Sequence, residues 1–353
     1  METNEATIIS TMKLKTNTNE RESGLELLRI IAMIFIIMHH ITNIGIVGSS
    51  LEKSIRNIFL QNGKLGVNIF VLISAYFMVN KNLTIKHILK TILPTLFYSI
   101  TLYLISIALK VDVFNFKIFT TYIFPVYFCK WWFVSCYIFL LFLTPLLNMF
   151  IKTLNKKKHT IVCIVLLILE VILPYFRLII TRNFEAYPFS NEIVLFCVLY
   201  FIGSYFRLYN IDVSSIVLLF ISLFLFIIFK IFLPLFELKI EIYNLNSIGN
   251  MFLSISLFLL FNKIKIKSKF INKIASTTFG IYLIHEHPVF KSLLWGVVSD
   301  FISSYVSNIA LIYVFAVLLV FLFCMLIDLV RQMTIHKLVL KMESRLLKNK
   351  NLA

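Results

Sequence analysis

An arginine and a histidine share one apolar stretch, LRIIAMIFIIMHH (28–40). Ionisable groups are costly inside a bilayer, so a reason for keeping them there is chemical before it is structural. His40 lies eleven positions after Arg29. On a helix that is three turns plus about 20°, so both face the same way, about 16 Å apart along the axis. Met33 and Ile36 complete the stripe, while His39 points about 100° away. Imidazole suits proton abstraction near neutral pH. Guanidinium suits recognition of phosphate or carboxylate, or stabilisation of developing charge. The pair fits a reaction between an anionic donor and a hydroxyl that needs a base. Glu26, one turn before Arg29, is placed to fix the guanidinium; at an exposed surface such a pair would contribute little.

Other polar residues lie in apolar surroundings. Asn68 is positioned to orient His40 or the donor, or to join helices as a buried amide. Glu170 is placed to bind hydroxyls of an acceptor or to pair with Arg177. His285, Glu286 and His287 are consecutive, so on one helix they splay apart, and no metal site is expected from them alone. Trp131 and Trp132 sit where an outer aromatic belt belongs, with stacking on an acceptor ring as the sharper alternative. Five scattered cysteines, with no CxxC pair, read as small buried hydrophobes.

These residues need membrane helices to position them. The chain of 353 residues is 59% hydrophobic and 14% charged, with 36 phenylalanines. A soluble domain carries about 25% charged residues, so this composition excludes the ordinary soluble class. The expected fold is all-α and polytopic, with about ten transmembrane helices near 25–47, 64–80, 86–109, 131–151, 160–180, 191–208, 213–236, 244–262, 275–298 and 306–330. The aromatic run FKIFTTYIFPVYF (116–128) is expected along the outer interface.

The net charge is +17. Of the 34 Lys and Arg residues, 23 fall on one side of the ten-span arrangement, and the excess is strongest in KKKH (156–159), KIKIKSK (263–269) and the tail after Arg331. The positive-inside rule makes that side the cytoplasm and puts both termini there. The charge marks topology, and no nucleic acid partner is expected. No cleavable signal peptide is read at the start. The expected organisation is a disordered cytoplasmic tail over 1–22, a ten-helix membrane domain over 23–332, and a basic cytoplasmic tail over 333–353 lying on the inner leaflet. Membrane lipid is therefore a partner. The Ile, Phe, Asn and Lys bias suggests a bacterial source, hence a bacterial cell membrane.

GLELLRIIAMIFIIMHH (24–40) resembles the first-helix signature of the bacterial membrane acyltransferase-3 family, an arginine followed after ten residues by a histidine; Arg29 and His40 match it and His39 does not. KLGVNIFVLISAYFMV (64–79) resembles the family's glycine-rich second helix with its Ser-Gly-Phe end, here Ser74-Ala75-Tyr76. KWWFVSCYIFLLFLTPLLN (130–148) resembles its Trp-Phe start and proline exit. STTFGIYLIHEHPVF (276–290) resembles its Tyr-Leu-Ile-His helix, with Tyr282 and His285 in place. The resemblance covers essentially the whole helical region.

It implies an integral-membrane enzyme that O-acylates, usually O-acetylates, extracytoplasmic or lipid-linked sugars and polysaccharides. Acyl-coenzyme A, as a co-substrate supplied from the cytoplasm, is the implied donor, and polysaccharide-synthesis machinery is a natural partner. Arg29 would anchor the donor and His40 would act as the base. Tyr282 and His285 join Glu26, Asn68 and Glu170 as candidates for acceptor binding or support. Two departures stand out. An Arg-x-x-Arg pair expected at the start of the third helix is replaced by Lys86, His87 and Lys90, of which Lys86 and Lys90 share a face and can meet phosphates as point charges. Ala75 replaces a glycine, which questions any close backbone approach there. The rival function is export of a polysaccharide or lipid-linked sugar without chemistry, against which stands the lack of paired, broken helices in repeated halves.

Overall fold

The computed structural model describes residues 22–42, 50–181, 191–209, 214, 216–224, 247–303 and 309–350. Among the described residues all regular structure is helical. The helices are α1 (Gly24–Ile41), α2 (Ser50–Met78), α3 (Ile85–Ala108), α4 (Phe116–Ile123), α5 (Trp132–Lys152), α6 (Lys156–Leu167), α7 (Leu173–Thr181), α8 (Glu192–Leu208), α9 (Ile248–Asn262), α10 (Lys269–Ala275), α11 (Thr278–His285), α12 (Phe290–Ser303) and α13 (Ile309–Lys350). Helix starts follow local chemistry. Asn115, Asn155, Asn191, Ser247 and Ser268 each accept a hydrogen bond from a first-turn backbone N–H, satisfying donors that a helix start leaves open.

Among the described residues, four helices are long and apolar enough to cross a membrane: Gly24–Ile41, Ile85–Ala108, Trp132–Lys152 and Leu311–Thr334. Two shorter apolar helices run over Gly63–Met78 and Ile248–Asn262. The outside of the bundle is apolar too. Leu93 and Phe97 on α3, Phe142 and Leu146 on α5, and Leu311 and Leu326 on α13 are exposed. Such a surface suits lipid and not water. The expected span at 213–236 falls largely outside the described residues, as does the tail over 1–21.

Three expected spans take a different form. The ninth, 275–298, is broken: α11 stops at His285 and α12 begins at Phe290, with Pro288 between them. The fifth contains a π-helical turn, Ile168–Ile172, between α6 and α7. The last runs as a single helix from Ile309 to Lys350, so the basic segment 333–353 begins as a continuation of the apolar helix.

The second half of α2 is the axis of the bundle, packed by α1, α8 and α9. Leu72, Ile73 and Ala75 on it are fully buried. The glycine missing at Ala75 is supplied from the facing helix. A Cβ on Gly203 of α8 would lie 2.7 Å from both Ala75 Cβ and Leu72 O, so the close approach survives with the small residue on the partner.

A buried polar knot ties the last helix to the bundle. The Asp328 carboxylate, fully buried, accepts hydrogen bonds from Tyr98 Oη (2.8 Å), Arg331 Nε (2.7 Å) and Gln332 Nε2 (2.7 Å). It rests against Gly280 of α11, where a Cβ would collide with it. In the sequence Asp328 falls near the end of the expected last span, 306–330, and Arg331 just past it, where the basic tail begins. The knot joins α3, α11 and α13, and so fixes the helix that carries Tyr282 and His285.

Candidate active site

Arg29 Nη1 donates to both carboxylate oxygens of Glu26, at 2.9 and 3.2 Å. Glu26 is 1% exposed, so this is not a surface pair. The buried carboxylate holds the guanidinium in place, and removing either member would strand the other. The guanidinium faces two adjoining cavities, each of about 270 Å³. One is a basic mouth lined by Arg29, Lys81, His87 and Lys90, together with Asn82 and Thr144. The other is lined by Arg29, Met33 and Ile36 on α1, by Phe133 and Tyr137 on α5, and by Tyr282 on α11. Ser74, Thr91 and Lys90 border both. The stripe read from the sequence as 29, 33 and 36 is thus one wall of a cavity, and His40 is the next residue along it.

Tyr282 stands between that cavity and the histidines. Its ring is edge-on to Phe133 (5.5 Å) and to His285 (5.9 Å). His40 Nδ1 lies 3.0 Å from His285 Nε2 and 3.4 Å from Glu286 Oε1. His285 Nδ1 lies 2.6 Å from the Ile281 carbonyl oxygen. A carbonyl only accepts, so His285 Nδ1 carries a proton and, in the neutral ring, Nε2 carries a lone pair. His40 Nδ1 must then be the donor between the rings, with Glu286 Oε1 as its second acceptor. That arrangement leaves the lone pair of neutral His40 on Nε2, as a base requires. Lys291 Nζ, 3.6 Å from Glu286 Oε2, holds the other end of the carboxylate.

The break after His285 explains why three consecutive polar residues do not splay as a continuous helix would force. His285 closes α11 facing His40, and Glu286, beyond the helix, returns beside the same ring. His287 has a structural task. It is fully buried, its Nδ1 accepts from the Phe290 backbone N–H at 3.1 Å, and its Nε2 meets Ser99 O at 3.3 Å. It therefore anchors the start of α12 against α3. Trp131 is buried edge-on against His287 at 5.6 Å, so it belongs to the core and not to an aromatic belt; its neighbour Trp132 is partly exposed, beneath the Lys64 ammonium at 5.0 Å. The run around the short helix α4 exposes Phe116, Phe124 and Tyr127, while Tyr122 turns inward. Beside it, burial holds the Lys130 ammonium below the usual lysine pKa, with Nζ 4.1 Å above the Tyr122 ring.

His39 packs its ring on the bare backbone of Gly63, where a Cβ would overlap it. It fills the contact between α1 and α2. Lys90 lines the basic mouth but Lys86, one turn earlier, is exposed and lines neither cavity; His87 takes its place. Asn68 is fully buried in α2 and borders neither cavity. Glu170 is buried on the π turn, which packs against α9, away from both. Lys81, Tyr137 and Glu286 were not singled out from sequence as site residues. Lys81 and Tyr137 lie in ordinary contexts, a helix-end loop and an aromatic-rich helix, and only folding brings them to Arg29.

The family model for the acyltransferase domain matches residues 22–329. The chain belongs to the acyltransferase-3 family. No curated protein and no solved structure gives a significant match. The match runs from the residue before Ser23, through both ends of the Arg29–His40 stripe, to just past Asp328. An acyltransferase-3 domain in a bundle of apolar, membrane-length helices is a membrane acyltransferase. Within it, Arg29, Lys90, Tyr282, His285 and His40 follow one line from the basic mouth to the histidine pair.

Proposed function

We propose that this acyltransferase moves an acyl group, acetyl by expectation, from acyl-coenzyme A to a hydroxyl of an extracytoplasmic or lipid-linked sugar or polysaccharide in the bacterial cell membrane. The observation that carries the reading is the cavity wall Arg29–Met33–Ile36, which leads along α1 toward His40. On this reading the basic mouth faces the cytoplasm and takes the donor phosphates at Arg29, Lys81 and Lys90. A pantetheine arm follows the stripe, which spans the roughly 16 Å between Arg29 and His40. Arg29 is then a donor anchor and does not touch His40.

At the far end His40 Nε2 removes the proton of the acceptor hydroxyl as its oxygen attacks the thioester carbonyl carbon. The carbon–sulfur bond breaks, and the departing thiolate takes the proton from the imidazolium, giving an O-acyl ester and free coenzyme A. His285 and Glu286 hold the Nδ1 proton of His40 and stabilise the imidazolium that forms, the role a carboxylate plays behind the histidine of a hydrolase triad. A covalent acyl intermediate would use the same base. Given acyl-labelled coenzyme A and a sugar acceptor, the purified protein releases coenzyme A and labels the acceptor. A carrier without chemistry, the export reading, does neither.

A further inference from the structure

We infer that His40 Nδ1, His285 Nε2 and Glu286 Oε1 form a three-ligand site for a zinc-type dication, and that its occupancy silences the base. This inhibitory part rests on the role of His40 proposed above; the site itself does not.

The geometry is that of a partly open zinc site. The three ligand atoms all lie within 4.8 Å of one another, with His40 Nδ1 at 3.0 Å from His285 Nε2 and 3.4 Å from Glu286 Oε1. Zinc binds imidazole nitrogen and carboxylate oxygen at about 2.0–2.2 Å, so two ligands on a tetrahedron are about 3.4 Å apart. Two histidines and one glutamate, with a fourth position left for water, are a known type of zinc ligand set.

A second observation points the same way. His285 presents Nε2 because its Nδ1–H is held by the Ile281 carbonyl at 2.6 Å, the outer-shell contact that orients a metal-binding imidazole. Glu286 is oriented likewise, since Lys291 engages Oε2 and leaves Oε1 toward His40. The His40 and Glu286 side chains are 14% and 17% exposed, which leaves an ion a way in.

Coordination at Nδ1 moves the neutral His40 proton to Nε2. The ring stays neutral and no proton is lost, but the nitrogen that served as base becomes a donor. The ion would thus block acyl transfer without touching the donor mouth near Arg29.

The test uses the full chain in detergent, titrated with zinc chloride and separately with cobalt(II) chloride. One saturable zinc site is expected, weakened at least about tenfold by His285→Ala and by the near-isosteric Glu286→Gln, and kept in His39→Ala. Cobalt should give the intense visible absorption of a four-coordinate ion in the unmodified protein, a readout that needs no variant to fold. Zinc should abolish coenzyme A release, and a chelator should restore it. Absence of a saturable site, zinc affinity in His285→Ala and Glu286→Gln equal to that of the unmodified protein, or a weak six-coordinate cobalt spectrum would overturn the site and leave the proposed role of His40 as base untouched. Zinc bound at these ligands with acyl transfer undiminished would overturn the inhibition and, with it, the role of His40 as base.

Discussion

His40 Nδ1 sits 3.0 Å from His285 Nε2, and the Ile281 carbonyl at the far side of His285 fixes which ring donates. Two helices distant in sequence, α1 and α11, thereby agree on one tautomer of His40. A base is worth having only if its free lone pair points at the work, and this contact decides where the lone pair goes.

His285→Ala should therefore lower turnover by roughly 10²-fold, within the range usual for general-base contributions, while the KM for the donor changes little. A purely packing role for His285 would instead lower stability and leave turnover per folded molecule intact. Steady-state kinetics alongside thermal unfolding separates the two.

Donor binding should respond to the other end of the stripe. Arg29→Ala and Lys90→Ala raise the KM for acyl-coenzyme A about tenfold or more, as loss of a charge-assisted phosphate contact does. Lys86→Ala changes it little, because Lys86 lines neither cavity. Equal effects of Lys86 and Lys90 would contradict the placement of the mouth.

Glu26→Gln keeps the shape of the side chain but removes the buried negative charge beside Arg29. The expected outcome is a lower Tm together with a higher donor KM, since the partly buried guanidinium loses both its counter-charge and its anchor. An unchanged donor KM would show that Glu26 serves stability alone.

Gly280→Ala places a methyl group against the Asp328 carboxylate. Overpacking of this kind costs about 1–3 kcal/mol, and here it also strains the knot that joins Tyr98, Asp328 and Arg331. A lowered Tm in detergent is expected, and Asp328→Asn should lower it too.

Much of this was legible in the sequence, for definite reasons. A helix has a fixed period, so the stripe from Arg29 to His40 and its wall of Met33 and Ile36 followed from spacing alone, as did the separate fate of His39. Membrane-length apolar runs announced the helical bundle. Convergence between elements was not legible. Nothing local says that His285 meets His40, that Lys81 and Tyr137 reach Arg29, or that Asp328 ends against Gly280. The break after His285 misled most. A continuous helix would have spread His285, Glu286 and His287 around its axis, but Pro288 marks a chain that leaves the helix and turns Glu286 back to the site. Trp131 misled by position, because a tryptophan at a helix start can serve the interface or the core, and here His287 and the core claim it.

The most direct measurement is acyl transfer by purified wild-type, His40→Ala and His39→Ala proteins given radiolabelled acetyl-coenzyme A and the surface glycan of a strain deleted for this protein. Labelled glycan and free coenzyme A are expected from the wild type, much of that activity from His39→Ala, and none from His40→Ala, which still binds the donor. Undiminished labelling by His40→Ala would contradict the role of His40 as base.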